Sequence, residues 1–194
     1  MEQAECAAKI RPLLCTMDEC GDCVSMMESG NTVYIALLDV LGHGKKAREV
    51  AILAQGYIAR SYPNALLDMM QGLHQCLHGT RGAVGVLCEI DRLTGRAVLT
   101  GVGNVTARIF GRRNYRFVFG DGIIGYGEIH PVLQETELGK GDVFVLHSDG
   151  IREHFDELEC IGLFKESAKV IAGGLVDRFG RESDDASCLV YKQQ

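Results

Sequence analysis

Hydrophobic and polar positions divide the chain into short strands and helices, with the divisions falling at glycine, asparagine and proline. Residues 20–28 and 33–39 flank Ser29-Gly30-Asn31-Thr32. A Gly-Asn pair supplies the positive φ angles of a tight two-residue turn, so these runs are predicted to form a β-hairpin. Ala47, Val50, Ala51, Ala54 and Ile58 then recur at helical spacing until Pro63, which predicts an amphipathic helix packed on a sheet. A second helix follows, with Leu66, Met70, Leu73 and Leu77 on one face. From Gly82 the texture changes to β-rich runs at 83–90, 96–101, 105–110 and 115–119, which read as an antiparallel meander. Residues 120–141 are glycine-rich and aperiodic, so they are expected to form a mobile loop beside a site or an irregular connection. An apolar run at 143–148 ends in Asp149-Gly150. A largely helical stretch then carries Leu158, Ile161, Ala168, Ile171, Leu175 and Phe179, and residues 186–191 form a last strand.

Strands in runs with helices inserted, rather than strict β-α alternation, predict an α+β fold with antiparallel sheets. At 194 residues, one domain spanning 1–194 is expected, large enough for a layered core without staples. A hydrophobic fraction of 46% and a charged fraction of 24% are those of a globular protein. Glu2, Glu5, Lys9 and Arg11 interrupt any apolar leader, and no run reaches the ~18 apolar residues of a membrane span, so a cytoplasmic chain is expected. With a net charge of -6 and no basic stripe, nucleic acid is not an expected partner, and Arg112-Arg113 reads as a solvated hairpin tip. The eight cysteines are scattered, and free, partly buried thiols are expected. Cys20 and Cys23, with Cys15 nearby, form one C-x-x-C, which without a second pair falls short of a zinc site.

The aspartates change the picture. Stepping outward from Gly30-Asn31 along both strands brings Asp22 directly opposite Asp39, with Cβ atoms ~4.5–5.5 Å apart. Opposed like charges are destabilising, and a divalent cation between them is the economical remedy. Asp149 ends one strand and Asp184 just precedes the last, so antiparallel pairing of those strands would bring both carboxylates to the same sheet edge. Alternation points Asp185 elsewhere. All-oxygen ligands suit magnesium, manganese or calcium, and two such ions ~3.5–4 Å apart, bridged by Asp39, could activate a water for attack on phosphorus.

Gly21-Asp22, Asp39-Val40-Leu41-Gly42-His43-Gly44, Ser148-Asp149-Gly150-Ile151-Arg152-Glu153 and Asp184-Asp185-Ala186-Ser187, in that order, resemble the motifs of the PPM family of metal-dependent serine/threonine phosphatases, in its SpoIIE and RsbX-like branch. The resemblance implies a four-layer α-β-β-α sandwich of two antiparallel sheets flanked by helices. It implies two divalent cations, Mn2+ or Mg2+, with Asp39 bridging both, Asp22 helping to hold one, Asp149 and Asp184 holding the other, and the Val40 carbonyl completing the set. Gly101-Val102-Gly103-Asn104-Val105 adds a likeness to the RsbX subgroup, whose short catalytic domains act on phosphorylated STAS-domain proteins of the stressosome. Other relatives act on anti-sigma factor antagonists. A monomer acting on a phosphorylated partner protein is thus expected. His43 is a candidate general acid, since imidazole titrates near neutrality, and the alternative is a helix-entry residue. Arg11 is a candidate phosphate-binding group by position, and Glu153 is expected to support a helix start.

Rival readings fare worse. Gly44-Lys45-Lys46 lacks both the first glycine and the terminal hydroxyl of a phosphate-binding loop. Cys6 to Arg11 and Cys76 to Arg81 enclose one residue too few for a cysteine-dependent phosphatase loop. A two-metal hydrolase of small phosphoesters and a non-catalytic phosphoprotein scaffold stay open as alternatives.

Overall fold

The computed structural model describes residues 4–194 apart from Cys15, His154 and Asp156, with the side chains of Glu157 and Leu158 also left out. Glu2, Cys15 and the apolar position expected at Leu158 therefore lie outside the described residues. In chain order the strands are β1 (Glu5–Arg11), β2 (Asp22–Ser29), β3 (Thr32–Val40), β4 (Ala83–Asp91), β5 (Arg96–Val102), β6 (Thr106–Phe110), β7 (Tyr115–Phe117), β8 (Gln134–Glu137), β9 (Val143–His147) and β10 (Ala186–Lys192). The helices are α1 (Lys45–Ser61), α2 (Leu66–Cys76), the short α3 (Glu157–Cys160) and α4 (Ala168–Phe179). Two antiparallel five-stranded sheets result, ordered β1-β10-β9-β6-β7 and β2-β3-β4-β5-β8.

Three apolar clusters show how the layers stack. Along β3, Val33, Ile35 and Leu37 face the other sheet, where they meet Val105, Phe144, Leu146 and Leu189, all buried. Their neighbours Ala36, Leu38 and Val40 face α1 and α2, packing on Ala47, Ala54, Met70 and Leu73. The other sheet repeats the scheme, because Val143, Val145, Cys188 and Val190 face α4 through Ile171, Leu175 and Val176. A strand covered on both faces has no need of polar alternation, so 33–38 reads as a continuous apolar run. The α-β-β-α sandwich follows from this pleat.

Hairpin β2-β3 has the expected register, with Ser29 opposite Thr32 across Gly30-Asn31 and Asp22 opposite Asp39. Gly30 takes φ +57°, as the turn requires. Three expectations need correction. The run 83–119 is not one meander: β4 pairs with β5, but β6 pairs with β9 in the other sheet, because the chain crosses over at residues 103–105. Gly103 there takes φ +88°, and its N–H donates to the Gly120 carbonyl.

The glycine-rich segment is docked rather than loose. Ile124 exchanges both backbone bonds with Ala83 (3.0 and 2.8 Å), and the Gly125 N–H donates to His74 Nδ1 at 3.0 Å. Within the same segment, the polar run Gln134–Glu137 forms an edge strand on β5. The stretch expected to be helical from Leu158 to Phe179 is broken by a 3-10 turn at Leu163–Lys165, and the long helix begins only at Ala168.

Phe144 is fully buried between the sheets, edge-on to Phe117 with ring centres 6.0 Å apart, whereas Leu93 is 71% exposed on the β4-β5 turn. Urea unfolding is expected to show Phe144→Ala losing about 3–5 kcal/mol. Leu93→Ala should stay within about 0.5 kcal/mol of wild type.

Candidate metal centre

Strand pleat carries Asp39 onto the face shared by Ile35 and Leu37, so its carboxylate lies at the rim of the gap between the two sheets. Asp22 lies opposite it and is buried, 1% exposed. From the other sheet, Ser148 Oγ donates to Asp22 Oδ2 at 2.7 Å and accepts from the Ser187 N–H at 3.1 Å. One hydroxyl thus ties the ends of β2, β9 and β10 together. Pairing of Cys188 with His147 brings the end of β9 and the start of β10 to the same edge, which delivers Asp149 and Asp184 to the rim.

The adjoining loop is shaped by close backbone approach. The Gly44 N–H donates to the Glu19 carbonyl at 2.7 Å, and the Val40 N–H to the Gly21 carbonyl at 3.3 Å. A Cβ on Gly21 would sit 2.8 Å from the Gly42 carbonyl oxygen and 3.1 Å from that of Val40, so residues 20–22 lie flush against 40–42 only as glycine allows. Gly42 itself takes φ +80°, a left-handed value that glycine favours.

Asp39, Asp149, Asp184, Asp121, His43 and Asn104 are among the residues lining a cleft of about 570 Å3, with Asp22 behind Asp39. Asp39 lies within hydrogen-bonding reach of Asp149, whose Oδ2 accepts from Asn104 Nδ2 at 2.9 Å. Burial first, then the charge of Asp22 and of Asp149, pushes Asp39 well above the usual carboxylate range. Burial likewise raises Asp22, with Ser148 opposing, and burial followed by the charge of Asp149 raises Asp184. These carboxylates resist sharing negative charge, and a positive ion is the partner that would let them do so. Their donor set is oxygen only, as hard divalent cations prefer. Among the described residues no three acidic, histidine or thiol side chains form a ready-made cation cluster. Oxygen donors of this kind fit a hard divalent cation such as magnesium, which commonly keeps several of its waters.

The other sequence candidates fall as follows. His43 is exposed at the cleft rim, near enough to Asp184 to act on its charge. The Val40 carbonyl faces Gly21. Arg11 does not line the cleft, and its Nη2 donates to the Arg181 carbonyl. Glu153, expected to support a helix start, pairs with Arg116 at 3.2 Å. Burial pushes the Cys20 thiol up to about 12, so it offers no thiolate near neutrality.

One residue escaped sequence reasoning, and of another only the direction was read. Asp121 reaches the cleft wall from the docked glycine-rich segment. Asp185 points away from the cleft, as alternation requires, but its role is structural: Oδ1 accepts the Leu13 N–H at 2.7 Å and Oδ2 the Gly21 N–H at 2.8 Å. No local signal marks these bonds, which span 172 and 164 residues. A larger cavity, about 960 Å3, lies beside Arg112, Tyr115 and Glu135, remote from every aspartate of the cleft.

Residues 29–192 match the family described as Stage II sporulation protein E (SpoIIE). No curated protein is significantly similar. A structure from work on the bacterial stressosome, as a modular system adapted to control secondary messenger signaling, superposes with a TM-score of 0.89 at 28% identity, covering 98% of this chain and 100% of that one. RsbX in complex with magnesium gives a TM-score of 0.80 at 19% identity, covering 100% of each chain. The PP2C phosphatase domain of the cell fate determinant SpoIIE from Bacillus subtilis gives 0.77 at 18%, covering 98% of this chain and 63% of that one. At these identities the last two speak to fold alone.

Two thermal and chemical unfolding results are expected. In metal-free buffer Asp39→Asn should be no less stable than wild type, since it replaces a carboxyl whose ionisation this buried site opposes with a neutral group of the same shape. With manganese at about a hundredfold excess over Kd, wild type should gain about 2.7 kcal/mol and the variant little; an unmoved wild type would remove the cation site. Asp185→Asn turns one acceptor into a donor facing an N–H and should cost about 1–3 kcal/mol with or without metal.

Proposed function

We propose, from the premise that this chain belongs to the SpoIIE family of PP2C-type phosphatase domains, that it is a metal-dependent phosphatase removing phosphate from serine or threonine of a partner protein. The observation that carries this reading is the meeting of Asp22 and Asp39, opposed across one hairpin, with Asp149 and Asp184 of the other sheet at a single rim. In this reading residues 1–194 act as one catalytic domain. Asp39 would be shared by two divalent cations, Mn2+ or Mg2+, with Asp22 and the Val40 carbonyl helping to hold one, and Asp149 and Asp184 the other. Bound there, such ions would supply Lewis acidity and a water of lowered pKa for attack on phosphorus, with no phosphoenzyme needed.

The chain's own groups do the rest. Ser148 holds Asp22 against rotation, and Asn104 orients Asp149. His43, exposed at the rim, can exchange protons with solvent and hand one to the departing serine or threonine oxygen. Phosphorylated STAS-domain proteins are the proposed partners, on the strength of the stressosome setting of the relative at 28% identity. We place the chain as a monomer in the cytoplasm, which accords with the lack, among the described residues, of any helix long and apolar enough to cross a membrane.

Incubating the protein with phosphorylated STAS-domain proteins, with and without manganese, should release phosphate only with the metal. Turnover confined to small phosphoesters would end the protein-substrate reading, and binding without release would favour a scaffold. Asp39→Asn removes several kcal/mol of transition-state stabilisation and should slow release about a thousandfold or more.

A further inference from the structure

The cleft has a charge problem on its substrate side. Its lining includes four aspartates, Asp39, Asp121, Asp149 and Asp184, with Asp22 behind, and among the described residues no lysine or arginine. Two divalent cations would no more than offset those carboxylates, so a phosphoryl dianion entering the cleft still lacks a cationic partner from the protein. Arg11, the candidate by sequence position, bonds instead to the carbonyl of Arg181, which is not part of the cleft lining.

One guanidinium, itself outside the cleft lining, does touch residues of the cleft wall. Arg81 stands in the turn between α2 and β4, is exposed, and extends Nη1 across to the Leu41 carbonyl at 3.3 Å. It lies so close over Gly42 that a Cβ there would come within 2.5 Å of Nη1. Leu41 and Gly42 both line the cleft between Asp39 and His43. The turn that carries Arg81 is fixed on each side. Thr80 Oγ1 donates to the Leu77 carbonyl at 2.7 Å and accepts the Gly82 N–H at 3.0 Å, and the Leu41 N–H donates to the Gly82 carbonyl at 3.2 Å.

A guanidinium carries five N–H donors in a planar fork suited to phosphate oxygens. Among the described residues Arg81 makes no ion pair, and its one recorded bond, to Leu41, leaves the other nitrogens free. Lys45 and Lys46, the nearest alternatives in sequence, have no bond to the cleft wall among the described residues.

We propose that Arg81 is the phosphate-binding residue of this site: its guanidinium, pinned at the rim by the Leu41 carbonyl, takes the non-reacting oxygens of the phosphoryl group as substrate enters. This rests on the phosphatase reading for its substrate, though not for its anion chemistry.

The test compares wild type, Arg81→Ala, Arg81→Lys and Lys45→Ala, all loaded with manganese. Binding of inorganic phosphate is followed by calorimetry, and hydrolysis of p-nitrophenyl phosphate by steady-state kinetics. Arg81→Ala should weaken phosphate binding and raise KM by about tenfold or more, as for loss of a charged hydrogen bond. Manganese affinity should be unchanged, with Arg81→Lys intermediate and Lys45→Ala like wild type. The proposal is overturned if Arg81→Ala binds phosphate as wild type does, if its manganese affinity falls in step because the residue merely props the Leu41-Gly42 loop, or if the loss appears in Lys45→Ala instead. Arg81-dependent phosphate binding by a wild type that turns nothing over would leave this site standing and remove the phosphatase reading alone.

Discussion

Two carboxylates facing each other across a hairpin, in the gap between two apolar sheets, set the terms for everything around them. The pleat of β3 sends Ile35, Leu37 and Asp39 the same way, so the face that fills the core also aims a charge at its open end. A carboxylate in such a place loses water without gaining a counter-charge from the chain, which is why Asp22 and Asp39 both hold their protons more tightly than usual. The surroundings keep the pair together despite this. Ser148 reaches across from the opposite sheet to Asp22, and Asp185 gathers the N–H groups of Leu13 and Gly21 so that the segment entering β2 cannot swing away.

The sandwich is suited to this arrangement because its sheets close on apolar contact everywhere except at the rim. Phe144, Leu146 and Leu189 fill the middle, and toward one end the inward positions turn to Ser148 and Ser187. Polarity is thereby graded along the inter-sheet space from hydrocarbon to hydroxyl to carboxylate. The loops that complete the cleft come from both sheets, Leu41-Gly42-His43 from one and Asp149 and Ser183-Asp184 from the other. Any shift of one sheet against the other would alter the spacing of the acidic groups, so the closeness of the apolar packing also sets the geometry of the site.

Much of this was legible in the chain itself, and the reasons for success and failure are physical. The register that pairs Asp22 with Asp39 follows from one Gly-Asn turn, because a two-residue connection leaves no freedom in what comes opposite. The helices 45–61 and 66–76 declare themselves by spacing and by Pro63. Sheet membership of β6 does not, since a strand covered on both faces looks the same in either sheet. The polar edge strand Gln134–Glu137 lacks the apolar signature that strand reasoning depends on. Asp185 and Arg81 were passed over because their partners are backbone groups brought near only by the finished fold.

The order of strands in the first sheet has a consequence for biosynthesis. Strand β10, the last of the described strands in chain order, lies between β1, the first, and β9. Until β10 has been made, β1 therefore has no partner in its sheet, and the segment that supplies Asp184, Asp185 and Ser187 is not yet in place. The Asp22-Asp39 hairpin can pair without it, but the acidic rim is complete only once this strand lies between two that precede it in the chain.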